Sequence, residues 1–453
     1  MFSVQAKSSL KCAKSAARRW ASTAAADKDK YKVVVVGAGS GGLTVANQIY
    51  NRFKSAGQPL NEGDIAVVDG AEWHYYQPGW TLVGAGLDNK LHTRRPLASL
   101  VSPHLAHIPE NVKTFAPAKN QVTTTSGRTI SYDSLVVAAG LQINWGNIEG
   151  LPQALADPNA RVSSIYSYDT CDKVWRDVDA LKSGTAVFTQ PAGVVKCAGA
   201  PQKIMWMAYD RYKRTGRLGP INVQFYTGLP TMFGVKKYSD ALEKLRQERG
   251  VGGHFQHNLI KVDSGNRKAT FKKLDDNTTV DVDYDLLHVV PQMGPMNFIK
   301  SSELADESGF LSVDKGTLRS TKFDNVWGIG DCTNLPTSKT AAAITAQAPI
   351  LTENFFSVAS TGKVASGAVY DGYTSCPLLT GYGQLMLAEF KYGPVPKETF
   401  SPYFGDQATP RMLYYYFKKD LFPWSYWNMM LDGNWFGTSG PFRPKFPLAA
   451  SLQ

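Results

Sequence analysis

The first third of the chain alternates short β-branched runs with helical stretches. Residues 31–36 form a β-branched run that ends at Gly37, and a helical stretch follows to about Tyr50. A second apolar run, residues 65–68, ends in Asp69. Such runs bounded by glycine are typical of buried parallel strands. The pattern therefore predicts a strand, a tight loop, a helix and a second strand, which is the start of an α/β nucleotide-binding domain.

Three further runs extend this pattern along the chain. Residues 132–140 predict a strand ending at Gly140, and residues 185–189 predict another. Residues 326–331 predict a strand that ends in Gly330 and Asp331, before an alanine-rich helical stretch at residues 339–347. We expect an α/β fold with two Rossmann-like dinucleotide-binding domains and a membrane-facing C-terminal region. The expected boundaries are 27–150 with 291–350 for the first domain, 151–290 for the second and 351–453 for the C-terminal region.

Composition and charge change this picture only at the N-terminus. The chain has 453 residues and a net charge of +11, but residues 1–26 hold five basic side chains and no acidic one. Residues 1–26 are also rich in Ser and Ala, as in a mitochondrial presequence, although a flexible basic N-terminus would look similar. The remaining 44 basic and 38 acidic residues, without a nucleic-acid-binding motif, argue against a nucleic-acid partner. Because no stretch of about 20 apolar residues occurs, any membrane contact is expected to be peripheral.

The first loop has the spacing of a pyrophosphate-binding motif. It reads Gly37-Ala38-Gly39-Ser40-Gly41-Gly42 between a strand and a helix. The first glycine allows a tight turn, the second allows the pyrophosphate to approach, and the third allows close helix packing. Asp69, at the end of the next strand, is placed to accept a hydrogen bond from a ribose 2′-hydroxyl.

Together with the strand ends at Gly140 and Gly330-Asp331, the loop resembles the glutathione-reductase-like flavoproteins. This resemblance implies FAD, with the acid at position 331 on the ribityl chain and the helix after it directed at the flavin. The expected FAD-binding residues are Gly37, Gly39, Ser40, Gly41, Gly42, Asp69, Gln77, Val112, Gly140, Gly330, Asp331, Lys339, Ala341, Ala342, Ala343 and Ile344.

The second predicted domain lacks the corresponding glycine motif. Residues 190–197 read QPAGVVKC, and the helical pattern resumes at Pro201. We therefore expect that a nicotinamide donor is not used, and that Cys197 is a reactive thiolate. A helix N-terminus and the adjacent Lys196 would both lower the pKa of its thiol. The alternative is that Cys197 is a small buried apolar residue.

The five cysteines contain no CxxC pair, which argues against a zinc site. Cys376 lies in a predicted loop before the apolar run 384–390, whereas Cys171 and Cys332 are expected to have packing roles and Cys12 falls in the presequence. By elimination, Cys376 is the best partner for Cys197.

Several longer runs resemble the mitochondrial sulfide:quinone oxidoreductases, across residues 32–442. They are residues 74–86 (HYYQPGWTLVGAG), 196–205 (KCAGAPQKIM), 330–343 (GDCTNLPTSKTAAA), 371–378 (DGYTSCPL) and 426–431 (YWNMML). The resemblance implies oxidation of hydrogen sulfide to a cysteine persulfide by two redox cysteines, at positions 197 and 376. It also implies ubiquinone as electron acceptor, glutathione or sulfite as sulfur acceptor, and a peripheral location on the mitochondrial inner membrane. Between Pro109 and Pro117 the chain is several residues shorter than the family pattern, so Val112 is the nearest candidate contact at the adenine edge.

The C-terminal stretch 411–442 is rich in aromatic residues. Basic residues flank them at Arg411, Lys418, Lys419, Arg443 and Lys445. This composition favours a helix in a lipid interface, through which a quinone would enter. An aromatic core or a subunit contact would have the same composition.

Two alternative functions remain at this point. A type II NADH:quinone oxidoreductase shares the expected architecture but needs the second glycine motif. A flavin-binding redox sensor without turnover needs no reactive cysteine pair.

Overall fold

The computed structural model describes residues 29–365 and 367–446. The predicted presequence, residues 1–26, and Cys12 lie outside the described residues.

The predicted glycine-bounded runs form the centre of a seven-stranded sheet. Lys30–Val36 pairs in parallel with Ile65–Val68 on one side and with Thr129–Val137 on the other. Val326–Gly328 pairs in parallel with Thr129–Val137, so a strand from far along the chain completes this sheet. The remaining strands are Ala106–Ile108, Val112–Ala116 and Gln121–Thr124. The predicted strands of the first domain are confirmed, and their β-branched side chains are buried in the core.

A second parallel sheet has five strands. Gly184–Gln190 lies in its middle, between Ile221–Thr227 and Leu286–His288. The outer strands are Val162–Ser163 and Gly252–His254. The strand predicted at residues 185–189 is confirmed, and the α/β class with two parallel sheets agrees with the sequence pattern. The boundaries of the three predicted regions stay a prediction.

The other sheets are small and antiparallel. They are His257–Asp263 with Lys268–Lys273 and Thr279–Asp283, Thr374–Gly381 with Gln384–Lys391 and Val395–Pro396, Gln142–Ile143 with Met293–Gly294, and Trp73–Tyr75 with Arg94–Pro96.

Helices connect many of the strands. The α-helices before the C-terminal segment are Ser40–Ser55, Trp80–Val83, Leu151–Ala156, Cys171–Ala180, Ala200–Arg214, Lys236–Glu248, Asn297–Lys300, Ala341–Thr361 and Ser401–Phe404. Short 3₁₀ turns lie at Gln77–Gly79, Lys90–Thr93, Leu97–Ser99, Pro117–Lys119, Trp145–Asn147, Gly330–Cys332 and Gly437–Ser439.

The helix expected at residues 339–347 begins later and runs much further. Thr340 is its N-cap, with a side-chain oxygen that accepts a hydrogen bond from the Ala343 N–H, and the helix continues to Thr361. Lys339 therefore precedes the helix rather than starting it. The capping hydroxyl fixes the start, because Ser and Thr side chains satisfy a first-turn N–H that lacks a backbone partner.

The aromatic C-terminal stretch is one helical segment with two wide turns. α-Helical Met412–Tyr416 and Phe422–Ser425 alternate with π-helical Phe417–Leu421 and Tyr426–Met430. Tyr414, Tyr415 and Tyr426 are buried, so part of the stretch packs on the core as the alternative interpretation required. Among the described residues, no helix is both long and apolar enough to cross a bilayer.

Candidate active site

The loop Gly37–Gly39 has the three properties that its spacing predicts. Gly37 has φ +98°, and a Cβ there would lie 2.6 Å from the Ala138 carbonyl oxygen. A Cβ on Gly42 would lie 1.7 Å from the Gly37 carbonyl oxygen, so only glycine allows this helix start to pack so closely. At Gly39, in contrast, an added Cβ meets nothing within 4 Å. The second glycine thus faces open space, where a pyrophosphate would approach the backbone. The neighbouring Ser40 and Gly41 begin the helix.

Asp69 holds this loop from the next strand. Its carboxylate accepts hydrogen bonds from the N–H groups of Ala38, at 2.7 Å, and Ala71, at 2.9 Å. Val112 is buried at the start of a strand, and the side chain of the preceding Asn111 accepts a hydrogen bond from the Gly70 N–H. The structure therefore places Val112 beside the loop that follows Asp69, at the edge where the chain is shorter than the family pattern.

The strand end at Gly330-Asp331 and the start of the long helix line a small cavity. The Asp331 carboxylate has no hydrogen-bond partner among the described residues, and burial raises its pKa, partly offset by Lys339 and Lys196. At the helix start, the N–H groups of Ala341 and Ala342 have no acceptor in the described part of the chain. A half-buried acid without a hydrogen-bond partner and unpaired helix N–H groups are suited to hydroxyl and carbonyl groups of a ligand.

The remaining predicted FAD contacts border the same region. Gly140 has φ +70° at the end of the strand Thr129–Val137, and an added Cβ there meets nothing within 4 Å. Ala343 and Ile344 are buried in the first turn of the long helix. Both ends of the expected dinucleotide site, the open glycine loop and the Asp331 cavity, thus fit FAD.

Cys197 and Cys376 lie together although 179 positions separate them in sequence. Both belong to one apolar cluster, and each thiol is close enough to shift the pKa of the other. A Cβ on Gly199 would lie 2.3 Å from Leu378 Cδ2 and 3.5 Å from Cys376 Cβ. Glycine at position 199 therefore allows the strand that carries Cys376 to approach the start of the helix Ala200–Arg214.

The prediction that Cys376 lies in a loop is wrong. It is the third residue of the strand Thr374–Gly381 and is fully buried. Pro377 follows it, and proline normally argues against a strand. Thr374–Gly381 is an edge strand, however, and an edge position tolerates a residue without an N–H.

The backbone at Cys197 is strained. Its φ of +53° lies in the left-handed region, which non-glycine residues rarely adopt. Two hydrogen bonds of 2.7 Å hold this conformation, from the Cys197 N–H to the Lys339 carbonyl oxygen and from the Ala200 N–H to the Cys197 carbonyl oxygen. The first bond ties Cys197 to the segment that leads from Asp331 to the long helix, so the sulfur pair and the cavity form one site.

The cation that contacts Cys197 is Lys203, whereas sequence reasoning gave this role to Lys196. Lys203 Nζ lies 3.3 Å from Cys197 Sγ. The pKa of Cys197 falls well below its ordinary value because Cys376 donates a hydrogen bond to it and because Lys203 and Lys418 are close, although burial opposes the shift. The pKa of Cys376 rises because it is the donor of that bond and is buried. Cys197 is thus the thiolate and Cys376 the thiol.

Lys196 points away from the sulfur pair. Its Nζ donates a hydrogen bond of 2.6 Å to Gln77 Oε1 and lies 5.6 Å from the Trp80 ring centroid. Burial lowers the pKa of Lys196 to about 8. Gln77, a predicted FAD contact, is therefore linked to the segment that carries Cys197.

Lys418 is a second correction. It was expected to flank the aromatic residues at a lipid surface, but it is 3% exposed and donates a hydrogen bond of 3.2 Å to the Pro78 carbonyl oxygen. Burial and repulsion by Lys203 lower its pKa to about 7, although the nearby cysteines oppose the shift. Sequence reasoning missed both lysines. The available signal was a lysine inside an apolar helical run, and it was present only at position 203, because Lys419 and Asp420 follow Lys418 directly.

The other described cysteines are packed away from the pair. Cys171 and Cys332 are both fully buried, and burial raises their pKa values to about 12 and about 11. Each remains a thiol, as expected for residues with packing roles.

Comparisons with known proteins agree with this site. Residues 31–184 match the family described as pyridine nucleotide-disulphide oxidoreductase. A Schizosaccharomyces pombe protein named mitochondrial sulfide:quinone oxidoreductase is 51% identical over 432 residues, which cover 92% of this chain and 94% of that protein. The chain belongs to the sulfide:quinone oxidoreductase family. The Mus musculus relative of the same name is 43% identical, over 90% of this chain and 88% of the relative.

Solved structures agree with the fold of a sulfide:quinone oxidoreductase. The enzyme of that name from Aquifex aeolicus has a TM-score of 0.70 at 18% identity, and the alignment covers 88% of this chain and 92% of that one. This structure agrees with the predicted fold, and the sequence relatives confirm the predicted family. Membership of the sulfide:quinone oxidoreductase family sets aside the two alternative functions.

Proposed function

We propose that this chain oxidises hydrogen sulfide at Cys197 and Cys376 and passes the electrons through FAD to ubiquinone. The observation that carries this proposal is the meeting of two distant cysteines beside Lys203, in contact through Lys339 with the predicted FAD cavity. FAD, when bound, supplies the two-electron acceptor between the cysteines and the quinone.

The sulfur chemistry assigns different roles to the two cysteines. In the oxidised enzyme the pair is bridged, and hydrosulfide attacks Cys376, so that a new sulfur–sulfur bond forms at Cys376 and the bridge to Cys197 breaks. The leaving group is the Cys197 thiolate, which Lys203 and Lys418 stabilise. Cys376 then carries a persulfide, and transfer of its outer sulfur to an acceptor returns Cys376 to a thiolate. Bridging the two thiolates again releases two electrons.

The sulfur acceptor is a small anion in this proposal. Two lysines beside the pair favour negatively charged molecules, and both sulfite and the glutathione thiolate carry negative charge. Because Cys376 is fully buried, the smaller sulfite is the favoured acceptor. Persulfide release that is faster with glutathione than with sulfite, at equal concentrations, would reverse this order.

The chain's own residues are suited to hold FAD along the predicted path. Gly37, Gly39 and Gly42 would form the pyrophosphate cradle, and Asp331 would accept hydrogen bonds from the ribityl chain. The unpaired N–H groups at the start of the helix Ala341–Thr361 would bind carbonyl groups of FAD.

The C-terminal helical segment is the proposed membrane contact. Met412, Tyr416, Leu421 and Trp424 are exposed, and their spacing of four, five and three places them along one side of a helix with a π turn. Arg411 and Lys419 lie next to them and are suited to anionic lipid headgroups. The named relatives are mitochondrial, and we infer that this chain acts at the inner membrane of the mitochondrion.

Point substitutions test the membrane contact without removing buried residues. We expect the triple variant Met412→Glu, Tyr416→Glu, Trp424→Glu to lose most of its binding to anionic vesicles and to use a lipid-embedded quinone poorly. Sulfide should still reduce its FAD at the normal rate. Leu91→Glu, at an exposed leucine outside the segment, is the matched control. Unchanged vesicle binding by the triple variant would show that the membrane contact does not involve these residues.

Anaerobic stopped-flow absorbance tests the function as a whole. We expect the flavin absorbance of the purified protein to bleach rapidly with sulfide and not with NADH. Rapid bleaching by NADH alone would instead support an NADH:quinone oxidoreductase, and no bleaching by either would support a sensor.

A further inference from the structure

The C-terminal segment is seated on the helix that follows the glycine loop. Asn47 Nδ2 donates a hydrogen bond of 2.8 Å to the Leu431 carbonyl oxygen, and Gln48 Nε2 donates one of 3.2 Å to the Trp435 carbonyl oxygen. A Cβ on Gly433 would lie 2.8 Å from the Gln48 nitrogen, so the two backbones are in close contact. The end of the chain that carries the proposed membrane contact thus rests directly on the proposed cofactor domain.

One side chain of this segment reaches the glycine loop itself. Tyr426 is 2% exposed, and its hydroxyl lies 2.8 Å from Ser40 Oγ and 2.6 Å from His74 Nε2. His74 Nδ1 lies 2.9 Å from the Ala38 carbonyl oxygen. Ala38 and Ser40 are two of the residues between Gly37 and Gly42, so Tyr426 and His74 clamp the loop at two points.

The direction of every proton in this hydrogen-bond chain follows from its ends. A carbonyl oxygen only accepts, so His74 Nδ1 carries the hydrogen and donates it to Ala38. Burial lowers the pKa of His74 to about 4, so the ring is neutral at physiological pH and Nε2 is an acceptor. Tyr426 therefore donates to His74, and its oxygen accepts from the Ser40 hydroxyl. Each of the three hydrogen bonds thus has one defined donor and one defined acceptor.

We propose that Tyr426 is a positioning residue that couples FAD binding to the seating of the C-terminal segment. FAD orders the loop that carries Ala38 and Ser40, and an ordered loop presents Ser40 and His74 to the Tyr426 hydroxyl. Such coupling is reciprocal, so a seated segment must also slow the release of FAD. This inference rests on the proposed FAD site at Gly37–Gly42. It goes beyond that site because it predicts that bound FAD stabilises the seated conformation of the membrane-facing segment.

The test compares two tyrosines of the same segment in the full-length holoprotein. Tyr426→Phe removes the hydroxyl that joins the loop, whereas Tyr414→Phe removes an equally buried hydroxyl that has no hydrogen-bond partner in the described chain. Two rates are measured. The first is the release of FAD, from the rise in flavin fluorescence on dilution. The second is tryptic cleavage after Lys419, in the diluted protein after FAD has been released and in the same protein with saturating free FAD.

We expect Tyr426→Phe to release FAD about 10-fold faster, because one buried hydrogen bond is lost and its partners remain unpaired. We also expect saturating FAD to slow cleavage after Lys419 in the wild type and in Tyr414→Phe, but not in Tyr426→Phe. A purely structural role of Tyr426 would instead raise cleavage equally with and without FAD, and that result would overturn the coupling, as would wild-type behaviour of Tyr426→Phe.

Ser40→Ala breaks the same hydrogen bond from the loop side. If Tyr426→Phe does not fold, Ser40→Ala at saturating FAD must lose the FAD-dependent protection of the segment, and retained protection would overturn the proposal. The underlying FAD site is tested separately. If a Gly39→Val protein kept its flavin, the proposed FAD site would be wrong. The Tyr426→Phe result tests only the coupling between that site and the C-terminal segment.

Discussion

The loops after the two central parallel strands differ in what they offer a ligand. After Lys30–Val36 the chain needs only Gly37, Ala38 and Gly39 to reach its helix, and the space beside Gly39 is open. After Gly184–Gln190 the connection is longer, residues 191–199, and it ends with a strained cysteine against Lys203. The same strand-loop-helix unit therefore exposes backbone at a glycine loop in one domain and carries the Cys197 thiolate in the other.

The comparison of these two loops indicates that each domain places its functional group at the start of the helix that follows the strand. Both loops bring a reacting or bound group to the carboxyl end of a parallel strand, just before a helix begins, where negative charge is favoured. Glycine exposes the backbone at this position to a phosphate. A cysteine with a lysine one turn into the helix uses the same position to stabilise a sulfur anion.

Among substitutions in these two loops and their partners, we expect those of the cysteine pair to have the largest effect on activity. Cys197→Ser and Cys376→Ser should each reduce sulfide-driven quinone reduction by about 1000-fold or more, and the double variant should be scarcely worse, because the two residues act as one unit. FAD content, measured from the visible absorbance, should stay normal. Cys171→Ser and Cys332→Ser are the controls. The pairing would be falsified if Cys376→Ser kept near-normal activity while Cys332→Ser lost it.

The glycine loop should respond in the opposite way. Gly39→Val places a side chain in the open space of the loop, so we expect the purified protein to hold less than about a tenth of its normal FAD. Gly146→Val is the matched control, because an added Cβ there also meets nothing within 4 Å, at an exposed turn. Absorbance at the flavin maximum after gel filtration measures both. Full flavin content in Gly39→Val would place the pyrophosphate elsewhere.

The sequence predicts the two loops unequally well. Glycine spacing between a β-branched run and a helix has a geometric cause, so Gly37, Gly39 and Gly42 were predictable with their separate reasons. The proximity of Cys376 to Cys197 was inferred by elimination and resemblance, because neither spacing nor periodicity relates positions 179 apart. The strand around Cys376 was missed because Pro377 conceals it, and an edge position is visible only once the sheet is known.

The sequence around Cys197 does not predict which lysines lie near its sulfur. Lys196 is the sequence neighbour of Cys197, yet its side chain turns to Gln77, while Lys203 returns over the first helical turn to the sulfur. Lys418 comes from a helical segment more than 200 positions away, and a π turn aims it inward. Which charge meets a thiolate depends on side-chain direction, which a linear pattern does not contain.

Removing the nearer cation should produce the next largest effect. In Lys203→Met the pKa of Cys197 should rise, because an ammonium in contact with a thiolate stabilises its charged form. Alkylation of Cys197 by iodoacetamide at pH 6 should therefore slow about 10-fold, and the pH profile should move to higher pH. Lys213→Met, at an exposed lysine of the same helix, should match the wild type. Identical profiles in Lys203→Met and wild type would show that helix and hydrogen bond alone create the thiolate.

The smallest predicted effect is also the most selective in pH, and it concerns Lys418. Its pKa of about 7 means that it is charged below neutrality and largely neutral above pH 8, and only the charged form supports the Cys197 thiolate. Lys418→Met should therefore slow alkylation of Cys197 about 3-fold at pH 6 and leave the rate at pH 8.5 nearly unchanged. Lys419→Met, next in sequence but paired with Asp420 at the surface, is the control.

Stability should change in the opposite direction to reactivity in this variant. A buried lysine whose pKa is lowered binds fewer protons in the folded than in the unfolded chain, so it destabilises the fold fully below pH 7 and less as the pH rises towards its ordinary value. Lys418→Met removes this penalty, and we expect a higher Tm at pH 6 with a smaller gain at pH 9, measured by calorimetry. A variant that was both less stable and less reactive at pH 6 would show that Lys418 serves packing. One that was more stable and less reactive would show that the C-terminal segment keeps a costly charge in place for the thiolate.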